Sequence, residues 1–208
     1  VIDTTGGAYY AKLLEAKGIT YLGSFHNGFR QLTNSKHPVT KPEDLKDLKI
    51  RVPGSAVYMG VFNALGASPT AMSWSEVFTA IQQKTIDGQE NGCSVTKSAK
   101  MDEIQQYMTI WNYSYENDLF VANSRVWESL DENTRQLLQE CATESCEWGG
   151  DHLEAEEDQL IQGFMDSGMQ VDILTEDQLQ AFKDAVAGVT AELKTEYGED
   201  ACAAFGIN

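Results

Sequence analysis

Arginine grips a carboxylate through two parallel N–H donors and keeps its charge at any working pH, and two arginines of this chain stand at strand ends. In KIRVPGS, Ile50 and Val52 read as one face of a strand, Pro53 and Gly54 end it, and Arg51 alternates to the opposite face. Arg30, in GFRQLTN, closely follows the strand candidate ITYLGSF, and Asn91 follows the short strand in IDGQE. In open α/β sheets, ligands bind beyond the carboxyl ends of strands, where connections leave the sheet and backbone groups are free. The two arginines and the Asn91 amide, which both donates and accepts, are therefore candidate groups for holding an acid. Trp74, at the start of SWSEVFTAIQQ, offers an apolar wall. The alternatives are an internal ion pair with one of the chain's many acids for each arginine, and core packing for Trp74.

Other reactive chemistry finds little support. No HExxH, Walker, GxSxG, GxGxxG or CxxC pattern occurs, and His26, His37 and His152 lack ligand spacing. Cys93 in QENGCS has no base beside it in sequence. Asp87 and Glu90 read as a turn aspartate and a structural carboxylate, with an acid–base pair as the weaker alternative. Cys141 and Cys146 lie five residues apart in a helical pattern and point away from each other, so they read as free or half-buried thiols, while a Cys93–Cys202 pairing stays open.

The elements that must position these groups come from a chain of 208 residues, 42% hydrophobic and 10% aromatic, long enough for one large domain or two lobes. No window approaches the ~18 uncharged apolar residues of a membrane span, and VIDTTGGAYY does not have the pattern of a signal peptide. The charge is −17, and the acid is concentrated late: residues 116–208 hold 22 acidic and 4 basic side chains. A nucleic-acid partner, which needs clustered Lys and Arg, is disfavoured. The order reads as strand ITYLGSF, a turn at His26-Asn27-Gly28, a second extended stretch, a short helix at KPEDL, strand KIRV, and a helix carrying Tyr58, Phe62 and Leu65. SWSEVFTAIQQ is a helix with Ser73 and Glu76 at capping-box spacing. Strand LFVAN then precedes a helix from Asp131 to about Ser167, softened at Gly149-Gly150, and Thr175 and Gln178 cap a last helix. The expectation is an α/β fold.

With those residues on the page, the chain resembles the solute-binding subunits of tripartite ATP-independent periplasmic (TRAP) transporters of the DctP type. GFRQLTNSKHPVTKPEDLKDLKIRVPGS looks like the family's stretch between two arginines, LGASPTAMSWSEVFTAIQQKTIDGQEN like the elements that follow, and VWESLDENTRQLLQE is similar too. The resemblance implies a two-lobed α/β protein of the periplasmic-binding type that closes over a small organic acid, a sugar acid or C4-dicarboxylate, and hands it to membrane permease subunits. It implies an extracytoplasmic setting (periplasmic or lipid-anchored), no catalysis and no organic cofactor. Carried over by position, Arg51 grips the carboxylate, Arg30 is a second donor whose use varies with the ligand, Trp74 stands where many members have Phe, and Asn91 supplies an amide. Gly54, Ala71 and Gly92 depart from the family's pattern and leave the identity of the acid open.

The resemblance also implies domains: 1–27 as a remnant of lobe one, 28–116 as the core of lobe two, 117–156 returning to lobe one, and 157–208 as the C-terminal helices of lobe two. The front of the family's fold has no counterpart here, so lobe one is expected to be incomplete, and the fragment to self-associate or to retain the missing segment as a separate piece. Two other readings use the same residues: a carboxylate-handling enzyme working with Asp87, Glu90 or Cys93, and a sensory domain reporting the ligand to a receptor.

Overall fold

The computed structural model describes residues 2–207. Six strands form one mixed sheet in the order β3-β2-β4-β1-β5-β6: β1 is Ile19–Asn34, β2 Lys49–Val52, β3 Ser68–Ala71, β4 Gly88–Asn91, β5 Tyr107–Asn123 and β6 Gln170–Ile173. The helices are α1 Gly7–Glu15, α2 Ala56–Ala64, α3 Trp74–Gln82, α4 Cys93–Ser98, α5 Ser124–Ser129, α6 Glu132–Asp166, α7 Glu176–Ala185 and α8 Ala187–Ala204. Strand β2 runs parallel to β3 and β4, β1 is antiparallel to β4, and β5 is parallel to β6.

The chain divides into two compact units. Unit 1 comprises Val1–Gly28, Glu116–Ala155 and Lys194–Asn208; unit 2 comprises Phe29–Tyr115 and Glu156–Leu193. The sequence reading assigned 157–208 whole to lobe two, but residues 194–208 group with unit 1. The reason is local: Gly198 leaves helical geometry at φ 82°, and the end of α8 packs on α1, Phe205 meeting the rings of Tyr9 and Tyr10 at 6.0 and 5.1 Å.

Within unit 2, alternation along β2 sends Ile50 and Val52 into a cluster with Leu32, Phe62, Trp111 and Phe182. A second cluster gathers Val77, Ala80, Ile81, Ile86 and Met101 under α3, and a third joins Cys93, Met108, Ile110 and Phe164.

Four local expectations change. The turn at Gly28 is not a turn: β1 runs through it, because Gly28 takes φ +83° without leaving the strand. LFVAN is only the end of β5, whose earlier half the sequence reading left unassigned. Helix α6 passes through Gly149 and Gly150 uninterrupted. These glycines bring the helix close to β1, where a Cβ at either position would sit 3.7 Å from Phe25 or His26. Ser73 makes no side-chain cap to α3, its hydroxyl meeting that of Ser75 at 3.1 Å instead. The box at α7 does form, with Thr175 N–H donating to Gln178 Oε1 at 2.9 Å.

Candidate functional site

Strand register brings the predicted residues to one end of the sheet. Arg51 pairs with Gln89, and Gln31 with Asn91, so the carboxyl ends of β2 and β4 meet the part of antiparallel β1 that carries Arg30. Alternation then sorts them by face. Arg51, Gln89 and Asn91 share one face, while Arg30 and Glu90 share the other.

Arg51 is 5% exposed. Its Nε–H donates to the Met72 carbonyl at 2.9 Å, and its guanidinium carbon lies 5.3 Å from the centroid of the Trp74 ring. Among the described residues no carboxylate lies within ion-pair distance of it. Burial pulls its pKa below the ordinary arginine value, Glu90 pulls it back up, and Arg30 adds to the lowering. Trp74, the first residue of α3, packs its other surroundings against the Val77–Met101 cluster. The indole is thus both partly core and a platform for the cation.

Arg30 is differently employed. Its Nε and Nη2 donate to the two carboxylate oxygens of Glu90 at 2.5 and 2.9 Å, Nη2 also donates to the Glu90 carbonyl at 2.8 Å, and the guanidinium lies 5.2 Å from the Tyr58 ring centroid. Glu90 is fully buried and accepts a further hydrogen bond from the Tyr113 hydroxyl. Burial first, and then the adjacent Glu90 charge, push the Tyr113 phenol well above its usual pKa, so it stays a neutral donor. The internal ion pair weighed as the alternative for Arg30 is therefore present. Asn91 is buried, and its Oδ1 accepts from Gly92 N–H at 3.0 Å, ordering the turn into α4.

The sequence reads Glu90 as a structural carboxylate, with an acid–base role as the weaker alternative, but not as the partner of Arg30, and it does not single out Tyr113. The pairing of Glu90 follows from burial, since all four residues of β4 are buried and an isolated buried carboxylate is too costly. Tyr113 owes its position to a bulge. Asn112 takes φ 48°, and Gln31 holds it, its Oε1 accepting from the backbone N–H groups of Trp111 and Asn112 at 3.0 and 3.1 Å. Long-range clamps of that kind leave no mark on periodicity.

The groups proposed for enzyme chemistry are not brought together. Asp87 Oδ2 accepts from Lys49 N–H at 3.0 Å and its Oδ1 lies 3.2 Å from Lys36 Nζ, at the opposite end of β4 from the Arg30–Glu90 pair. A cavity of about 540 Å³ lined by Lys36, Ile81, Lys84, Asp87 and Ile104 lies at that same far end and touches none of the four predicted residues. Cys93 is buried, and desolvation, with the Glu157 charge behind it, pushes its thiol up to about 12, the reverse of what a nucleophile needs. Cys93 and Cys202 both stand as thiols, so the pairing between them does not form. Among the described residues no group of His, Cys, Asp or Glu gathers as a metal site, and no helix is long and apolar enough to cross a membrane.

Residues 3–196 match the family described as bacterial extracellular solute-binding protein, family 7, or DctP. The chain is 33% identical to the 2,3-diketo-L-gulonate-binding periplasmic protein YiaO of Escherichia coli (strain K12), covering 86% of this chain and 54% of that protein. It is also 33% identical to the C4-dicarboxylate-binding periplasmic protein DctP of Rhodobacter capsulatus, covering 98% of this chain and 61% of that one. The chain thus spans little more than half the length of these relatives. Among solved structures, a TRAP periplasmic solute-binding protein from Ralstonia eutropha H16 with bound (S)-2-acetolactate superposes with a TM-score of 0.93 at 34% identity, over 98% of this chain and 67% of the other. All three are described as binding proteins for small organic solutes.

Proposed function

Because this chain belongs to family 7 of the bacterial extracellular solute-binding proteins, the DctP family, we propose that it captures a small organic acid outside the cytoplasm and delivers it to the permease subunits of a TRAP transporter. The setting is the periplasm or the outer side of the cell membrane, and the acid is a sugar acid or C4-dicarboxylate. The observation that carries this reading is Arg51: a buried guanidinium, steadied by the Met72 carbonyl and the Trp74 ring, that no carboxylate of the described chain neutralises. A buried cation of that kind is costly unless an anion arrives to pair with it.

In this mechanism Arg51 meets the ligand carboxylate with its terminal nitrogens, while the Met72 contact through Nε fixes the plane of the fork. Trp74 forms an apolar wall and holds the cation over its ring. Asn91 presents its amide to oxygens of the ligand, and Arg30 serves as a second donor whose direction is set by Glu90. All four of these residues belong to unit 2.

A thermal-shift panel of organic acids tests the reading, since a ligand bound only by the folded state raises stability with its concentration. At least one acid is expected to stabilise saturably and to be recovered chemically unchanged. Arg51→Met is expected to weaken that acid by ~30-fold or more, the loss of a contact of about 2–5 kcal/mol. Undiminished affinity in that variant rules the clamp out.

A further inference from the structure

The cavity of about 540 Å³ at the far end of β4 takes no part in the acid site, and its lining has a character of its own. The apolar part comes from Ile81 and Ile86, both buried, and from half-buried Ile104. The polar part comes from Lys36, Lys84 and Asp87, with the Ser35 hydroxyl beside them. Every lining residue lies between 35 and 106, inside unit 2, whereas both ends of the chain belong to unit 1. We infer that this cavity is a second binding site, which takes a small carboxylate with an apolar body, the chain lying on the isoleucines and the charge against Lys84.

Lys84 carries the inference because of where it stands. It follows the end of α3 in the left-handed region, φ +59°, where glycine is the favoured residue. The helix end does not need its side chain: Lys84 N–H donates to the Ile81 carbonyl at 2.9 Å and Thr85 N–H to the Ala80 carbonyl at 3.0 Å, so backbone groups close the last turn. Nor is the charge paired. Among the described residues no carboxylate lies within ion-pair distance of it, whereas Lys100, at a similar φ of 57°, meets Glu103 at 3.3 Å. Asp87, the acid of the lining, is already engaged, its Oδ1 3.2 Å from Lys36 Nζ and its Oδ2 accepting from Lys49 N–H. The wall behind it is preformed. Buried Gln105 accepts from the Thr33 hydroxyl and donates to the Asp87 carbonyl at 3.1 Å, and Ser35 N–H donates to that same carbonyl at 2.9 Å. A preformed, largely apolar cavity with a few fixed polar groups is the usual form of a small-molecule site. Inorganic anions gain nothing from the isoleucines, and neutral hydrocarbons gain nothing from Lys84; an amphipathic carboxylate uses both.

Isoleucine-methyl NMR with octanoate as the probe tests this, because shifts at Ile81, Ile86 and Ile104 locate binding here whether or not an acid also binds beside Arg51. Those three methyls are expected to shift saturably. Affinity is expected to rise about 2–4-fold per methylene from butyrate to octanoate as apolar surface is buried, and 1-octanol, which lacks the charge, to bind about 5-fold or more weakly than octanoate. Lys84→Gly is expected to weaken octanoate about 5-fold, the scale of a half-exposed charge pair, while Lys84→Arg stays within about 2-fold of the unaltered chain. Glycine suits the backbone at this position, so the loss in Lys84→Gly is not a loss of fold. No saturable shift at the three isoleucines, equal affinity for octanoate and 1-octanol, or an octanoate affinity that ignores Lys84→Gly overturns the inference.

Discussion

A guanidinium in the Arg51 setting is steadied by two contacts and opposed by a third effect, burial, and each can be altered separately. The Met72 carbonyl fixes Nε, the Trp74 face attracts the charge, and burial raises the energy of the unpaired cation. Arg51→Lys keeps the charge but loses the fork, so affinity for the stabilising acid is expected to recover only part of what Arg51→Met loses, as calorimetry on both variants will show. Trp74→Leu keeps apolar bulk and loses the quadrupole. Cys93 gives a test at the same scale that needs no ligand. Its proton is held more tightly in the folded state, so the buried thiol contributes stability below the unfolded pKa of about 8.5 and loses it as pH rises toward about 12. In native protein at pH 8 a thiol reagent is expected to label exposed Cys141 quickly, and buried Cys93 and Cys146 only after unfolding. Prompt native labelling of Cys93 would contradict its placement. Sequence made Arg51 legible because strand alternation and the Pro-Gly stop are local. It could not separate a ligand clamp from an ion pair, since that depends on which acid of a distant strand comes alongside; for Arg30 it is Glu90, sixty residues on.

At the scale of elements, β4 shows why the sheet accepts so little change. Gly88 faces Asn34 of β1 and Ile50 of β2. A Cβ built there would sit 2.2 Å from the Thr33 carbonyl and 2.9 Å from the Asn34 Cβ, so two backbones can close on each other only across a glycine. Gly88→Ala is expected to lose roughly 3 kcal/mol or more, read as a lower urea midpoint, because backbone must shift to admit the methyl. Gly163 is the contrasting case. It lies inside α6 with nothing within 4 Å of a new Cβ, so Gly163→Ala is expected to gain about 0.5–1 kcal/mol from helix propensity. Equal effects from the two substitutions would refute the close approach at Gly88. The elements that were legible share strong local signals: the capping box at Thr175, the periodicity of α3, the alternation in KIRV. Those that were not lack them. Strand β3 is the edge strand Ser68–Ala71, with a proline and little burial, and β6 has only four residues, so neither shows a run of alternation. The span of β5 was hidden because its course includes the Asn112 bulge, which shifts the apolar phase from Ile110 and Trp111 onward.

For the whole molecule the governing quantity is charge, −17 from 32 acidic and 15 basic side chains. It is not evenly shared among elements: the 35 residues of α6 hold ten acids against the single basic residue Arg135, whose guanidinium pairs with Glu132 at 2.7 Å. Glu140, Glu144, Glu147, Asp151, Glu154 and Asp158 follow one another at intervals of three or four, so like charges are stacked along the helix, each such pair opposing it by about 0.2–0.5 kcal/mol. Screening should relieve this. Raising NaCl from ~0.01 M to ~1 M shrinks the Debye length from about 30 to about 3 Å, and the melting temperature is expected to rise by about 2–4 °C for each ~1 kcal/mol of repulsion removed from a chain of this size. General salt effects on apolar burial would act in the same direction, so a charge variant separates the two. Glu147 is exposed and lies between Glu144 and Asp151. Glu147→Lys turns two repulsions into two attractions, and is expected to stabilise the protein by roughly 0.5–1 kcal/mol at low salt. That gain should shrink toward zero at high salt, where both partners are screened. A gain that persists unchanged in ~1 M NaCl would place its origin in packing or propensity, and the view of α6 as an electrostatically strained helix would fail.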